Sequence, residues 1–128
     1  MIYLDSSVVL ARLLAESRRL PDSSWHLPLI SSRLLQYEVW NRLHARAVRQ
    51  DREASAQNLL GRIVFVELTP TVLARALKPF PTAVRTLDSL HLATMEYLRG
   101  ERQDIEFASF DERLLAAAGA LGIAMHQP

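Results

Sequence analysis

Met1-Ile-Tyr-Leu-Asp5-Ser-Ser-Val-Val-Leu10 is the stretch from which the rest of the chain can be read. Ile2, Tyr3 and Leu4 form a short apolar run that Asp5-Ser6-Ser7 interrupts. Beyond the break, Val8, Leu10, Leu13 and Leu14 recur near the helical period. A brief strand passing straight into a helix sets a pattern that the remaining residues either repeat or break.

They repeat it. Residues 27–30 are a second apolar run, closed by Ser31-Ser32, and Leu34, Leu35, Val39, Trp40, Leu43 and Val48 then follow at helical spacing. A helix over residues 53–60 is predicted to stop at Gly61, with a strand at 63–66 after it. Thr69-Pro70 has the form of an N-cap followed by proline at the first helical position, and Pro79 and Pro81 break the helix they begin. Residues 86–99 read as a long helix ended by Gly100, 106–109 as a strand, 111–118 as a helix and 123–125 as a last strand. Such alternation predicts an α/β protein with a mostly parallel sheet covered by helices on both faces. The strands are apolar without polar alternation, as strands buried on both sides are. With no repeat, linker or low-complexity tract, one domain over residues 1–128 is expected.

The bulk properties narrow the class. A chain of 128 residues buries roughly 68% of its unfolded surface, enough for a core. The absence of cysteine excludes disulfides and thiolate metal sites. A net charge of +1 does not announce a nucleic-acid binder. Of the 15 basic residues all but Lys78 are arginine, which suits phosphate recognition but equally reflects a GC-rich genome. The first residues lack a basic leader, Arg12 interrupts the apolar stretch, and residues 114–125 are too short to span a bilayer. A cytoplasmic protein is expected.

Four acids stand in apolar company. Asp5 and Asp111 end predicted strands, Glu38 lies among Leu34, Leu35, Val39 and Trp40, and Asp88 sits between Leu87 and Leu90 near a helix start. In an open parallel sheet the site forms beyond the carboxyl ends of the strands, where all four would fall. Crowded carboxylates repel unless a cation neutralises them, and oxygen ligands alone specify magnesium or manganese. Such a site suits phosphodiester hydrolysis. Structural explanations compete: aspartate near a helix start caps amides, and Ser109-Phe110-Asp111-Glu112 fits a capping box. Glu38, in the second turn of its helix, is hardest to explain structurally.

Residues 1–10, 30–41 (Ile30-Ser-Ser-Arg-Leu-Leu-Gln-Tyr-Glu38-Val-Trp-Asn41), 85–94 (Arg85-Thr-Leu-Asp88-Ser-Leu-His-Leu-Ala-Thr94) and 107–118 resemble, in order, the four acid-bearing segments of PIN domains. The resemblance covers essentially the whole chain and is strongest to the VapC toxins. It implies a three-layer α/β/α fold and magnesium- or manganese-dependent endonuclease activity on RNA, transfer RNA among the candidate substrates. It also implies metal-site roles for Asp5, Glu38, Asp88 and Asp111, with Ser109 supporting them, a homodimer, and inhibition by a small antitoxin. The expected chemistry is in-line attack of water, activated by the cation, leaving 5′-phosphate and 3′-hydroxyl ends. Asp5 and Asp88 would hold the ion directly, and Glu38 and Asp111 would complete the shell.

Other features weigh less. Arg42, Arg46 and Arg49 form a helical stripe beyond Glu38, either a track for phosphates or an acidic antitoxin segment, or a solvated face. His91 shares the Asp88 face and reads as packing or support; His26, His44 and His126 have no ligand spacing. Tyr37, Trp40 and Tyr97 read as core or subunit contacts. Lys78-Pro79-Phe80 resembles a receiver-domain signature, but it follows a helical stretch and precedes Asp88. A phosphoacceptor domain and a non-catalytic nucleic-acid-binding module are the alternatives.

Overall fold

The computed structural model describes residues 1–47 and 50–128. Its elements run β1 (Ile2–Leu4), α1 (Ser6–Leu13), a 3-10 turn (Asp22–His26), β2 (Leu29–Ser32), α2 (Leu34–Ala45), α3 (Gln50–Leu60) and β3 (Ile63–Val66). There follow α4 (Pro70–Ala76), α5 (Thr86–Gly100), β4 (Glu106–Ala108), α6 (Glu112–Ala120) and β5 (Ala124–Met125). All four strand pairings are parallel, in the order β3-β2-β1-β4-β5. This is the expected three-layer α/β/α fold.

Alternation along the central strands builds two cores. Ile2 and Leu4 of β1, Leu29 of β2 and Ile63 of β3 pack with α1, α2 and α3 on one face. Tyr3, Ile30 and Phe107 point the other way, onto α5 and α6. Each fully buried aliphatic side chain, Leu35 and Leu43 on one face and Leu92 on the other, contributes about 1.5–3 kcal/mol relative to exposure. Burial on both faces holds only for the middle of the sheet. Val64 of β3 is exposed and both residues of β5 face solvent, because edge strands lack a neighbour to cover them.

Local signals set most boundaries. Thr69 accepts the amide of Val72 with Pro70 behind it, as read from the sequence. α4 nevertheless ends at Ala76, ahead of Pro79, and Gly100 lies inside α5, whose cap is Glu101. Among the described residues α3 includes Gln50, three residues ahead of the hydrophobic pattern, because its first turn is polar. The 3-10 turn gave no periodic signal; it is held by Trp25, buried in the first core. Tyr37 is 68% exposed and so is not a core residue. Arg49 and Val48 lie outside the described residues. Among the described residues no helix is long and apolar enough to cross a membrane.

The strand order positions the site. The chain steps from β1 outward to β2 and β3, then returns through α4 and α5 to place β4 on the other side of β1. The crevice between the carboxyl ends of β1 and β4 is thus a topological switch point, where open parallel sheets place ligands.

Candidate active site

Asp5 follows β1 at that crevice, its amide donating to the carbonyl of Ala108 at the end of β4 (3.0 Å). The residue is buried, at 6% exposure, and its Oδ2 accepts the hydroxyls of Ser7 (2.6 Å) and Ser109 (2.8 Å). Ser7 Oγ in turn accepts the Phe110 amide, and Ser109 Oγ the Asp111 amide. One carboxylate oxygen is therefore clamped between two strand ends, while among the described residues Oδ1 makes no hydrogen bond and stays in reach of solvent.

Asp111 caps α6, its Oδ1 accepting the amides of Arg113 (3.0 Å) and Leu114 (3.2 Å). The capping-box reading put Ser109 in that role. The chain instead leaves extended geometry two residues later, freeing Ser109 to serve Asp5. Asp111→Ala is expected to lower stability by about 1 kcal/mol, whereas Asp111→Asn, an equally good cap, leaves it nearly unchanged. Urea unfolding of the two variants checks this; equal midpoints would show that the cap contributes nothing.

Asp88, in the first turn of α5, lines a cavity of about 260 Å³ together with Arg85, Asp111, Arg113 and Leu114. Its carboxyl is pushed above the ordinary carboxylate range, first by burial and then by the charges of Asp111 and Asp5; His91 and Arg85 pull it back only partly. Asp5 and Asp111, more than a hundred residues apart, are thus each within electrostatic reach of Asp88.

Glu38 joins by a different route. From the second turn of α2 its Oε1 lies 2.6 Å from Nε2 of His91, which is fully buried on α5. The other imidazole nitrogen lies 2.8 Å from the hydroxyl of Tyr3 on β1, and that oxygen accepts the Ser32 amide (3.2 Å). Among the described residues no three of the His, Asp and Glu side chains are close enough to form a ready-made metal cage. Ser7, Tyr3 and the His91 link were beyond sequence reasoning; only the position of His91, one helical turn after Asp88, carried a signal. Lys78 follows α4 rather than ending a strand, which is not where the receiver reading needs its lysine.

The fold is an open parallel sheet with Asp5 and Asp111 at its switch point, and the sequence comparison names the class. The PIN domain family model matches residues 2–120, and the chain belongs to that family. Among known proteins it is 31% identical over 133 residues to Ribonuclease VapC35 of Mycobacterium tuberculosis, covering 100% of this chain and 97% of the relative. Ribonuclease VapC47 of the same organism is 27% identical over 135 residues, with the same coverage. The crystal structure of Mycobacterium tuberculosis VapC20, described as a Sarcin-Ricin loop cleaving toxin, superposes with a TM-score of 0.73. At 19% identity over the full length of both chains, that match speaks for the fold.

Proposed function

We propose that the protein is a divalent-metal-dependent endoribonuclease acting as the toxin of a toxin–antitoxin pair. The observation that carries the reading is that Asp88 shares a cavity with Asp111, and that Asp111 and Asp5, at the ends of β4 and β1, both act on its carboxyl. Similarity to ribonucleases along the whole chain supports RNA as substrate. The same kinship supports a small antitoxin partner and a homodimer.

The donor set fits a hard divalent cation. It offers carboxylate oxygens and no thiolate, and magnesium is commonly held by one or two carboxylates with water and substrate oxygens, which needs no closed protein cage. Asp5 and Asp88 would hold magnesium or manganese, with Glu38 and Asp111 completing the surroundings. A bound ion supplies Lewis acidity, easing ionisation of water and offsetting charge on the phosphate. The chain's own residues prepare the place: Ser7 and Ser109 fix Asp5, His91 fixes Glu38, and the α6 cap fixes Asp111 with Oδ2 free of hydrogen bonds among the described residues. RNA cleavage is expected to vanish in chelator and return with added manganese or magnesium. Cleavage persisting in excess chelator would refute the proposal.

A second cavity, of about 240 Å³, gives phosphates a way in. It is lined by Ser7, whose hydroxyl touches Asp5, and by Arg18, Arg42 and Arg46, with Glu16 the acid among them. Arg42 and Arg46 form no ion pair among the described residues, leaving their guanidinium groups for an RNA backbone. Arg42→Glu with Arg46→Glu is expected to weaken RNA binding and to flatten the slope of log affinity against log salt by about 1.4 for two lost phosphate contacts of single-stranded RNA. An unchanged salt slope would make the stripe a solvated face.

A further inference from the structure

We propose that Tyr3 and His91 are positioning residues that hold the Glu38 carboxylate in place through a one-way chain of hydrogen bonds from the sheet. The inference rests on the reading of Glu38 as a cation-holding carboxylate.

The proposed direction of each bond takes the His91 ring in its singly protonated form, since the roles of its two nitrogens depend on the tautomer. An ionised carboxylate only accepts, so at 2.6 Å the proton between Glu38 Oε1 and His91 belongs to Nε2. A neutral imidazole with a proton on Nε2 has an acceptor at Nδ1, and the atom facing it, at 2.8 Å, is the Tyr3 hydroxyl. Tyr3 must then donate to His91, and its oxygen is completed by the Ser32 amide, which can only donate. Two more hydroxyls stand near this oxygen, those of Ser31 and Thr94. Both already spend their protons on backbone carbonyls, of Leu4 (2.7 Å) and Leu90 (2.7 Å). With the ring proton on Nε2, the chain of donors reads Ser32 to Tyr3 to His91 to Glu38, and every group in it has a partner.

The packing allows little else. Tyr3 and His91 are both fully buried, and their rings meet edge-on at 5.8 Å and 88°, with Phe107 against the other side of Tyr3 at 5.9 Å. Tyr3 cannot reach solvent, RNA or an ion, so whatever it does for the site passes through His91. Glu38 sits on α2, on the opposite side of the sheet from α5. The relay therefore ties both helical layers to β1, and it leaves Oε2 for a cation. A rigid partner on the far side of a ligating group is how proteins orient such groups, and its loss typically costs roughly 10–100-fold in metal affinity or activity.

The test is manganese binding by the purified full chain without RNA, followed by paramagnetic resonance, for wild type, Tyr3→Phe, His91→Leu, His91→Gln and Asp5→Asn. Tyr3→Phe removes one oxygen from a site that no ligand reaches. It and His91→Leu are expected to weaken binding roughly 10–100-fold, and His91→Gln, whose amide nitrogen can donate to Glu38, to recover most of the loss. At saturating manganese the KM for RNA should be unchanged. Nitrogen NMR of the wild type should show His91 protonated at Nε2 and not at Nδ1, and this signature should be lost in Tyr3→Phe. Wild-type affinity in both Tyr3→Phe and His91→Leu, or an Nδ1-protonated His91, overturns the relay. Should His91→Leu not fold, Tyr3→Phe decides alone. Binding that Asp5→Asn abolishes and Tyr3→Phe leaves intact refutes only the relay; a wild type that binds no manganese refutes the metal reading and the relay with it.

Discussion

Asp5→Asn is expected to slow RNA cleavage by roughly 10³-fold or more while the protein stays folded, since a lost cation contact removes several kcal/mol of transition-state stabilisation and each 1.36 kcal/mol is tenfold. Folding should survive because the Asp5 side chain does not cap α1. Its structural bonds, to the Ala108 carbonyl and from the Val8 amide, use backbone atoms that the substitution keeps. The amide oxygen of asparagine can still accept from Ser7 and Ser109, at a cost of about 1 kcal/mol for weakened charge-assisted bonds. Removing a negative charge near Asp88 opposes that cost and should bring the Asp88 carboxyl down toward its ordinary value. Single-turnover cleavage and thermal melting of the same preparation test both halves. Turnover within tenfold of wild type in clean protein would strip Asp5 of its role.

The second large effect separates activity from stability. Asp88→Asn is expected to lose cleavage to a similar degree yet to melt higher than wild type near neutral pH without metal. The folded state raises the Asp88 carboxyl above its unfolded value, so the native protein binds that proton more tightly. Stability then falls as pH rises from the unfolded carboxylate value through the raised one, and above it the ionised group carries the full penalty. Asparagine removes that penalty. The gain should be small, about 1–3 °C after solvent screening of a half-buried group, and should disappear in acid. Manganese should reverse the order, stabilising wild type by about 2.7 kcal/mol at a hundredfold excess over Kd and the variant far less. Lower melting of Asp88→Asn at pH 7 in chelator, or equal stabilisation of both proteins by manganese, would contradict this account of the site.

These expectations treat the site as a place where like charges are held together at some cost to the fold. Only part of that was visible in the residues. Asp5 and Asp88 could be picked out because an acid among apolar neighbours at a strand end or helix start is a local anomaly. Asp111 was ambiguous, and the structure shows why: one of its oxygens is occupied as a cap, the other is free. The capping box misled because Ser-x-x-Glu spacing cannot reveal that a serine has a better acceptor 104 residues away.

The sequence alone determined the order of strands and helices and the parallel sheet, and it singled out four acids as candidates, because periodicity, capping and apolar runs act between near neighbours. Tertiary structure decided that β4 returns to the far side of β1 and so opens the crevice. It also decided that Tyr3, in the sequence one more apolar residue of the first strand, meets His91 at 2.8 Å and through it reaches Glu38. Such links join residues tens of positions apart, and their strength depends on burial and on the direction of each donor. Both are set when the two faces of the sheet are covered, and neither is written in the spacing of the residues.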